Sequence, residues 1–446
     1  MGKLNKDNLR KTVYYLKKNG VKNTILAAAE RLQKKEQDSY TYVAPTETVL
    51  ANQKQRNWNK EVVFSIVVPL YHTPEVYFRE LVDSVLGQTY PHFELVLADA
   101  SKDNHLEGLA ESYQDSRIRY VKLSDNAGIS ENTNQGILVA KGDYIALLDH
   151  DDLLTLDALY EMADAYEKAQ GYGIEPVLLY SDEDKCSGDG SVFYEPHFKK
   201  DFDAELLMTN NYICHFTAVK ADVMKALLLR KEYDGAQDFD LVLRVTKDAK
   251  DGAVVHIPKV LYHWRCHTGS TAANPESKRY AYEAGKRAVQ YHIESNGWDA
   301  ESEHLKHLGF YRVNYKKDIF AMRPEVGAVG GRVLNKRSKL VGGMMDESGK
   351  VIFEGLRDGF SGYVNRAALV QKADALDIRC MKVRKECFTI VEAIPGMEGC
   401  IKEDGSILAD KLPQGADMVG LGLQISKALK EAGYILLWDP EKSVRL

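Results

Sequence analysis

The chain has 446 residues, 44% of them apolar, and 59 Lys and Arg against 65 Asp and Glu give a net charge of −6. Apolar content at this level builds a full core and excludes global disorder, while the acidic balance argues against a dedicated nucleic-acid binder, which carries a basic excess. No apolar run approaches the ~20 residues of a spanning helix, and MGKLNKDNLRKTVYYLKKNG at the start lacks an apolar core of signal-peptide length. The six cysteines, at 186, 214, 266, 380, 387 and 400, form no CxxC pair. A disulfide framework or cysteine zinc site is therefore not expected, and a reducing cytoplasm is.

Residues 1–38 predict one or two helices, with Leu9, Val13, Leu16, Ile25, Leu26 and Leu32 at roughly helical spacing. Lys3, Lys6, Arg10, Lys11, Lys17, Lys18 and Lys22 crowd this stretch. Two readings stand: a solvated helical face, or a peripheral contact with anionic lipid beside Tyr14, Tyr15 and Leu16. Residues 39–62 are polar and mixed, and predict a linker.

From Phe64 the texture changes. FSIVVPLY (64–71) is a short β-branched apolar run closed by a turn, the pattern of a buried parallel strand. A helical pattern over 75–88 follows, then strands at 93–101 and 118–124, a helix over 129–142, and a strand, DYIALLDHDD (143–152), that runs into acid. Strands alternating with helices at this spacing predict a doubly wound α/β sheet. Ligands of such sheets sit beyond the carboxyl ends of the strands. VLLYSDEDK (177–185) predicts another strand ending in acids, 252–265 a strand or hairpin, and 276–295 a helix, with 296–318 leading out of the domain.

Asp149-His150-Asp151-Asp152 is the sharpest local feature. Three carboxylates in four residues repel unless a cation neutralises them, and hard oxygen ligands suit Mg²⁺ or Mn²⁺. The structural alternative is an acidic helix N-cap. Asp99, at the end of FELVLADAS, could accept hydrogen bonds from a base or ribose, or serve turn chemistry. SDED (181–184) is a further acidic cluster. In GAQDFDLVLR (235–244), Gly235 loosens the backbone before Asp238, which could act as a general base or cap a helix. His263 or His267 could complete a metal shell or be structural, and Trp264 and Tyr262 read as core or as a substrate platform. Neither GxGxxG nor GxxxxGK[ST] occurs at a strand-to-helix turn, and there is no GxSxG or HExxH, so dinucleotide dehydrogenases, P-loop NTPases, α/β-hydrolases and zincins are not expected.

Together these residues resemble the family 2 glycosyltransferases of GT-A fold, from about Phe64 to about Tyr315. SIVVPLY (65–71) looks like the opening strand of that family, whose Pro69 and Tyr71 region cradles the nucleotide base. LADASKD (97–103) resembles its VDDGSTD, with Asp99 matching the second Asp, while Ala98 and Ala100 depart from it. NAGISENTNQGILVAKGDYIALLDHDD (126–152) resembles the most diagnostic stretch. YSDEDK and HFKKDFDAELLMTNNYICH (197–215) look like a subgroup that builds bacterial surface polysaccharides, including rhamnose-containing ones, and LYHWRCHTGSTA (261–272) looks like its closing segment.

The resemblance implies a GT-A fold, an α/β class with a mostly parallel sheet and helices on both faces. It implies nucleotide-sugar contacts from Pro69, Tyr71, Asp99, Asn126 and Asp149, and a DxD motif in which Asp149 and Asp151, with His263, hold Mn²⁺ or Mg²⁺. Asp238 is then the base, and Asp182, Glu183, Asn211 and Trp264 lie on the acceptor side. The donor implied is a UDP- or dTDP-sugar, the acceptor a lipid-linked glycan, and the place of work the cytoplasm or the inner face of the plasma membrane, with homo-oligomer formation left open.

Residues 319–446 resemble the latter half of a second such domain, and GAQDFDLVLRVTK (235–247) echoes QGADMVGLGLQISK (414–427). No opening strand or acidic cluster precedes this region, so it is expected to lack its own donor site, and Asp417 need not be catalytic. The expected organisation is a helical segment and linker (1–62), a GT-A domain (63–318) and a truncated glycosyltransferase-like domain (319–446). The expected function is metal-dependent, inverting hexosyl transfer; the alternative is a non-catalytic glycan-binding or assembly protein that keeps the shell.

Overall fold

The structure, a computed structural model, describes residues 40–266 and 279–446 together with positions 16, 20, 21, 24, 28 and 30. The expected basic helices and lipid contact of 1–38 lie outside the described residues apart from those six positions, as do His267 and residues 276–278.

The centre of the fold is β1 (Phe64–Leu70), in which every residue is buried. It has β2 (Phe93–Asp99) parallel on one side and β4 (Tyr144–Leu147) parallel on the other, and β3 (Ile118–Lys122) extends the sheet beyond β2. The sheet then turns mixed. β8 (Thr217–Lys220) joins β4 antiparallel, followed by β6 (Leu178–Ser187), β9 (Val254–Cys266) and the short β5 (Leu153–Leu154), with β7 (Phe193–His197) paired to β6.

Side chains alternate across a strand, and β1 shows the consequence. Phe64, Ile66, Val68 and Leu70 join one apolar cluster with Phe78, Leu81, Val82 and Val85 of helix Glu75–Leu86. Val67 joins a separate cluster with Ile137 of helix Ile129–Val139. Each large apolar side chain buried this way contributes roughly 1.5–3 kcal/mol, so both faces are held by the hydrophobic effect. Gly136 lets its helix lie close to the sheet, since a Cβ there would meet Val67 Cγ1 at 2.6 Å. The α/β class and helices on both faces are as expected.

Two local expectations change and one is narrowed. The SDED acids do not end a strand: β6 runs through them to Ser187. It can do so because its acids find partners: Asp182 meets His256 at 2.9 Å and Asp184 meets His263 at 2.5 Å. Of the strand or hairpin expected over 252–265, residues 254–266 form the single strand. The expected linker is docked: Tyr40 donates to Asp184 at 2.6 Å, residues 47–54 are helical, and Arg56 pairs with Asp164 and Glu167 at 2.6 Å each.

A hairpin, Ala300–His304 with Tyr311–Tyr315, leads to a second, five-stranded sheet. Its core pair is Val326–Leu334 running parallel to Ile435–Arg445. Helix Met418–Glu431 packs on it, placing Ile425 and Leu429 against Leu376 and Trp438.

Candidate active site

A cavity of about 530 Å³ opens beyond the carboxyl end of β4, where Pro69, Asp149, His150, Asp151, Cys214, His215, Asp238 and Trp264 are among its lining residues. β4 ends at Leu147, and the acidic residues form a turn closed by the Asp152 N–H donating to the Asp149 carbonyl at 3.2 Å. They are not a helix cap. The turn is anchored from β9. The Arg265 N–H donates to Asp152 Oδ1 at 2.7 Å, the Tyr262 hydroxyl donates to Asp152 Oδ2, and Arg265 Nε donates to the Asp151 carbonyl at 2.6 Å. Asp152 is buried, and burial followed by the charges of Asp149 and Asp151 pushes its carboxyl well above the usual range.

Asp149 keeps accessible surface toward the cavity, but protein closes around it on the other sides. That loss of solvation is the main reason its carboxyl is raised; His215 opposes the rise and Asp151 adds to it. A divalent cation would relieve this repulsion, and two adjacent carboxylates are a hard-oxygen donor set of the kind Mg²⁺ takes from protein, the rest coming from water and phosphates. Asp149 and Asp151 therefore fit the ion. Among the described residues no group of three or more His, Cys, Asp and Glu is gathered as a cage.

Asp238 lines the same cavity from the first turn of helix Gln237–Thr246. The N-cap is Ala236, so Asp238 does not cap. Its Oδ2 accepts from Asn211 Nδ2 at 2.8 Å. The helix N-terminus favours negative charge there. Gly235, at φ +92°, makes the approach: a Cβ would sit 2.7 Å from the Tyr280 ring and 2.8 Å from Ala281 Cβ.

Sequence reasoning did not single out His215 and Cys214. His215 Nδ1 lies 3.0 Å from Glu183 Oε2, and its Nε2 lies 3.0 Å from Cys214 Sγ. Glu183 also meets His197 at 3.3 Å and Lys199 at 3.9 Å. Burial works against ionising Glu183, but the Lys199 charge and the two histidines outweigh it and hold the carboxyl far below its usual range. Burial likewise opposes charging His215, and its neighbours carry it well above the usual imidazole range. The Cys214 thiol is itself pushed up to about 12 by burial, so it is neutral at pH 7 and Glu183 is the anion that matters. The available sequence signal was NNYICH, a polar stretch closing on a histidine.

The structure brings Pro69, Asp149, Asp151, Asp238 and Trp264 to one cavity, with Asn211 on Asp238 and Glu183 behind His215. Other expected site residues lie elsewhere. Tyr71 follows β1 and is 46% exposed, its ring 4.4 Å from His72. Asp99 is fully buried, its oxygens taken by the Ser101 N–H at 2.8 Å, the Tyr120 hydroxyl at 2.5 Å and Lys122 Nζ at 3.2 Å. Asn126 Oδ1 accepts from Asn132 Nδ2 at 2.8 Å and from the Gly128 N–H at 3.2 Å. Asp182 is buried against His256 and accepts from the Lys199 N–H at 2.8 Å. His263 is not among the cavity-lining residues: it is buried, bound to Asp184 and packed on Tyr42 and Phe193 at ring distances of 4.6 and 4.3 Å.

Comparison with known proteins finds matches over part of the chain. Residues 65–228 match the model described as glycosyl transferase family 2. The chain is 39% identical over 238 residues to uncharacterized protein y4gI of Sinorhizobium fredii, covering 52% of this chain and 25% of that one. It is 32% identical over 275 residues to O-antigen biosynthesis protein RfbC of Myxococcus xanthus, covering 61% and 21%. It is 25% identical over 314 residues to amylovoran biosynthesis glycosyltransferase AmsB of Erwinia amylovora, covering 64% and 99%. The matches to the first two relatives span only a quarter or less of their lengths.

Proposed function

Taking the glycosyl transferase family 2 domain at residues 65–228 as the premise, we propose that the chain is a metal-dependent, inverting glycosyltransferase. It moves a sugar from a nucleotide-sugar donor to a glycan acceptor during assembly of a bacterial cell-surface polysaccharide. The observation that carries this reading is one cavity lined by Asp149, Asp151 and Asp238 together. The names of RfbC and AmsB support the polysaccharide class.

Asp149 and Asp151 would hold Mn²⁺ or Mg²⁺, which supplies positive charge against the charge building on the leaving diphosphate. Arg265 and Tyr262 fix the turn that presents them. Asp238 takes the proton from the acceptor hydroxyl at a carboxylate oxygen, with Asn211 fixing its orientation. A base on the side opposite the leaving group suits inversion. His215, held charged by Glu183, adds a second cation to the Asp149 side. Trp264 offers an aromatic wall to the acceptor, and Pro69 closes the donor end.

Among the described residues no helix is long and apolar enough to cross a membrane. Work at the inner face of the plasma membrane on a lipid-linked acceptor remains part of this proposal. The test is nucleotide release from a panel of UDP- and dTDP-sugars with acceptor glycan, with and without Mn²⁺. Release that requires the ion and is lost in Asp238→Asn supports it. Glycan binding without any release would favour the binding-protein alternative.

A further inference from the structure

A second cavity, of about 320 Å³, opens at the seam between the two main sheets. That volume lies in the range of small-ligand sites. Met208 and Thr209 form one wall, Tyr315, Lys317 and Phe320 another, and the C-terminal sheet supplies Val329 and Leu437 as a buried apolar floor.

Among its lining residues Arg312, Lys317, Lys382 and Lys442 face Glu205, Asp318 and Asp439, and Glu441 also meets Arg312 at 3.2 Å. Arg312 is gripped by Asp439 through two contacts of 3.0 Å, Lys382 by Asp318 at 2.7 Å, and Glu205 by Arg323 at 2.5 Å. Each lining acid is thereby matched. Lys317 and Lys442 remain at the exposed mouth, and neither forms an ion pair with a described residue. A pocket with an apolar floor, aromatic side walls and two spare ammonium groups suits a ligand with an apolar face, hydroxyls and one negative charge.

One stretch of chain borders both cavities. The stretch 208–215 lines the seam cavity with Met208 and Thr209, places Asn211 on Asp238, and lines the first cavity with Cys214 and His215. An oligosaccharide extending from the acceptor hydroxyl beside Asp238 could follow this stretch to the seam.

We propose that the seam cavity is a binding subsite for an anionic sugar unit of the acceptor glycan, a carboxylate- or phosphate-bearing residue. Lys317 and Lys442 take the charge, and Phe320 and Tyr315 take the ring's C–H face. The inference rests on the glycosyltransferase reading only for the ligand being a sugar.

The test uses the full chain and three probes: methyl β-glucuronide, glucose 1-phosphate and the neutral methyl β-glucoside. Binding is followed by saturation-transfer NMR and titration calorimetry. The expected result is that one or both anionic probes bind more tightly than the glucoside. The responding probe identifies carboxylate or phosphate. Lys317→Ala/Lys442→Ala, changing only exposed side chains, should weaken that binding by ~10-fold or more, as loss of charge-assisted contacts does. Asp238→Asn and saturating nucleotide sugar should leave it unchanged. Equal binding of all three probes, unchanged affinity in the double variant, or displacement by nucleotide sugar would each overturn the subsite. Nucleotide release from the same preparations is read separately: release without seam binding sinks only the subsite, and seam binding without release sinks only the proposed activity.

Discussion

Asn211 donates its side-chain N–H to Oδ2 of Asp238 at 2.8 Å, and this contact holds a carboxylate that caps nothing against the wall of the larger cavity. The C-terminal echo of that segment uses its acid differently. Asp417 is the N-cap of helix Met418–Glu431 and accepts from the Gly420 N–H at 2.9 Å. Two similar stretches of sequence thus place an acid at the start of a helix, one facing the cavity and one committed to folding.

Asp238→Asn should therefore lose ~10²–10⁴-fold in transfer, the usual contribution of a general base, while donor affinity and melting temperature hold. Asp417→Asn keeps a capping oxygen and should change neither. Asp417→Ala should cost ~1 kcal/mol of stability, as loss of a cap does, with transfer intact. Steady-state kinetics and thermal melts on the three variants decide it. Inactivation by Asp417→Asn would mean that the C-terminal region takes part in chemistry.

Removal of the divalent ion is the second prediction. Chelation with EDTA should abolish nucleotide release, and added Mn²⁺ or Mg²⁺ should restore it. Asp151→Ala should lower release by at least ~10²-fold, since charge stabilisation by a metal is worth several kcal/mol, and should not be rescued by the ion. Melting temperature should stay close to that of the parent because the buried Asp152 carboxylate anchors the turn to β9. Full activity of Asp151→Ala would remove the metal assignment.

The central sheet was legible because β1 and β2 are short apolar runs, and the Asp149–Asp152 turn because three of its four residues are acids. What could not be read is register. Asp99 is a strand-end acid in one dimension, but Tyr120 and Lys122 reach it only because β3 pairs with β2. His263 looked close to the acids, yet the β6–β9 register sets it opposite Asp184. His215 was passed over for the converse reason: its partner Glu183 lies far away in sequence, and only the fold makes it a charged group. In the C-terminal sheet, strands of two or three residues such as Gln371–Lys372 and Met381–Val383 are too short to show a period.

The Glu183–His215 pair predicts a pH dependence of stability. His215 is raised above its ordinary value of ~6.5, so its contribution is complete below that value and fades as pH rises through the higher folded value. Glu183 is lowered from ~4.3, so its contribution is complete above that value and fades as pH falls through the lower folded one. Glu183→Gln should lower the melting temperature at pH 7 and flatten the decline on the alkaline side. Melts from pH 5 to pH 9, a range chosen to bracket the ordinary imidazole value, compare the two proteins; the same alkaline slope in both would show that His215 is not held by Glu183.

The last prediction concerns what fastens the two sheets. Arg323, which leads into the C-terminal sheet, meets Glu205 of the helix Ala204–Leu207 at 2.5 Å, each side chain only 4% exposed. Arg323 also donates to the Tyr315 hydroxyl at 2.8 Å and lies 4.2 Å over the Trp298 ring. Removing one partner leaves the other charge buried and unpaired, at a cost of ~3–5 kcal/mol. Arg323→Ala should show that loss in urea unfolding, and Arg323→Met with Glu205→Leu should recover much of it, because an apolar pair of similar volume leaves no stranded charge. Lys316→Ala is the control. Its pair with Glu301 at 2.7 Å is 54% and 67% exposed, solvent screens it, and its loss should cost no more than ~1 kcal/mol. If the Lys316 and Arg323 variants lose stability equally, the buried pair is not what joins the sheets. If the double variant is no better than Arg323→Ala, packing on Trp298 rather than charge is what Arg323 supplies.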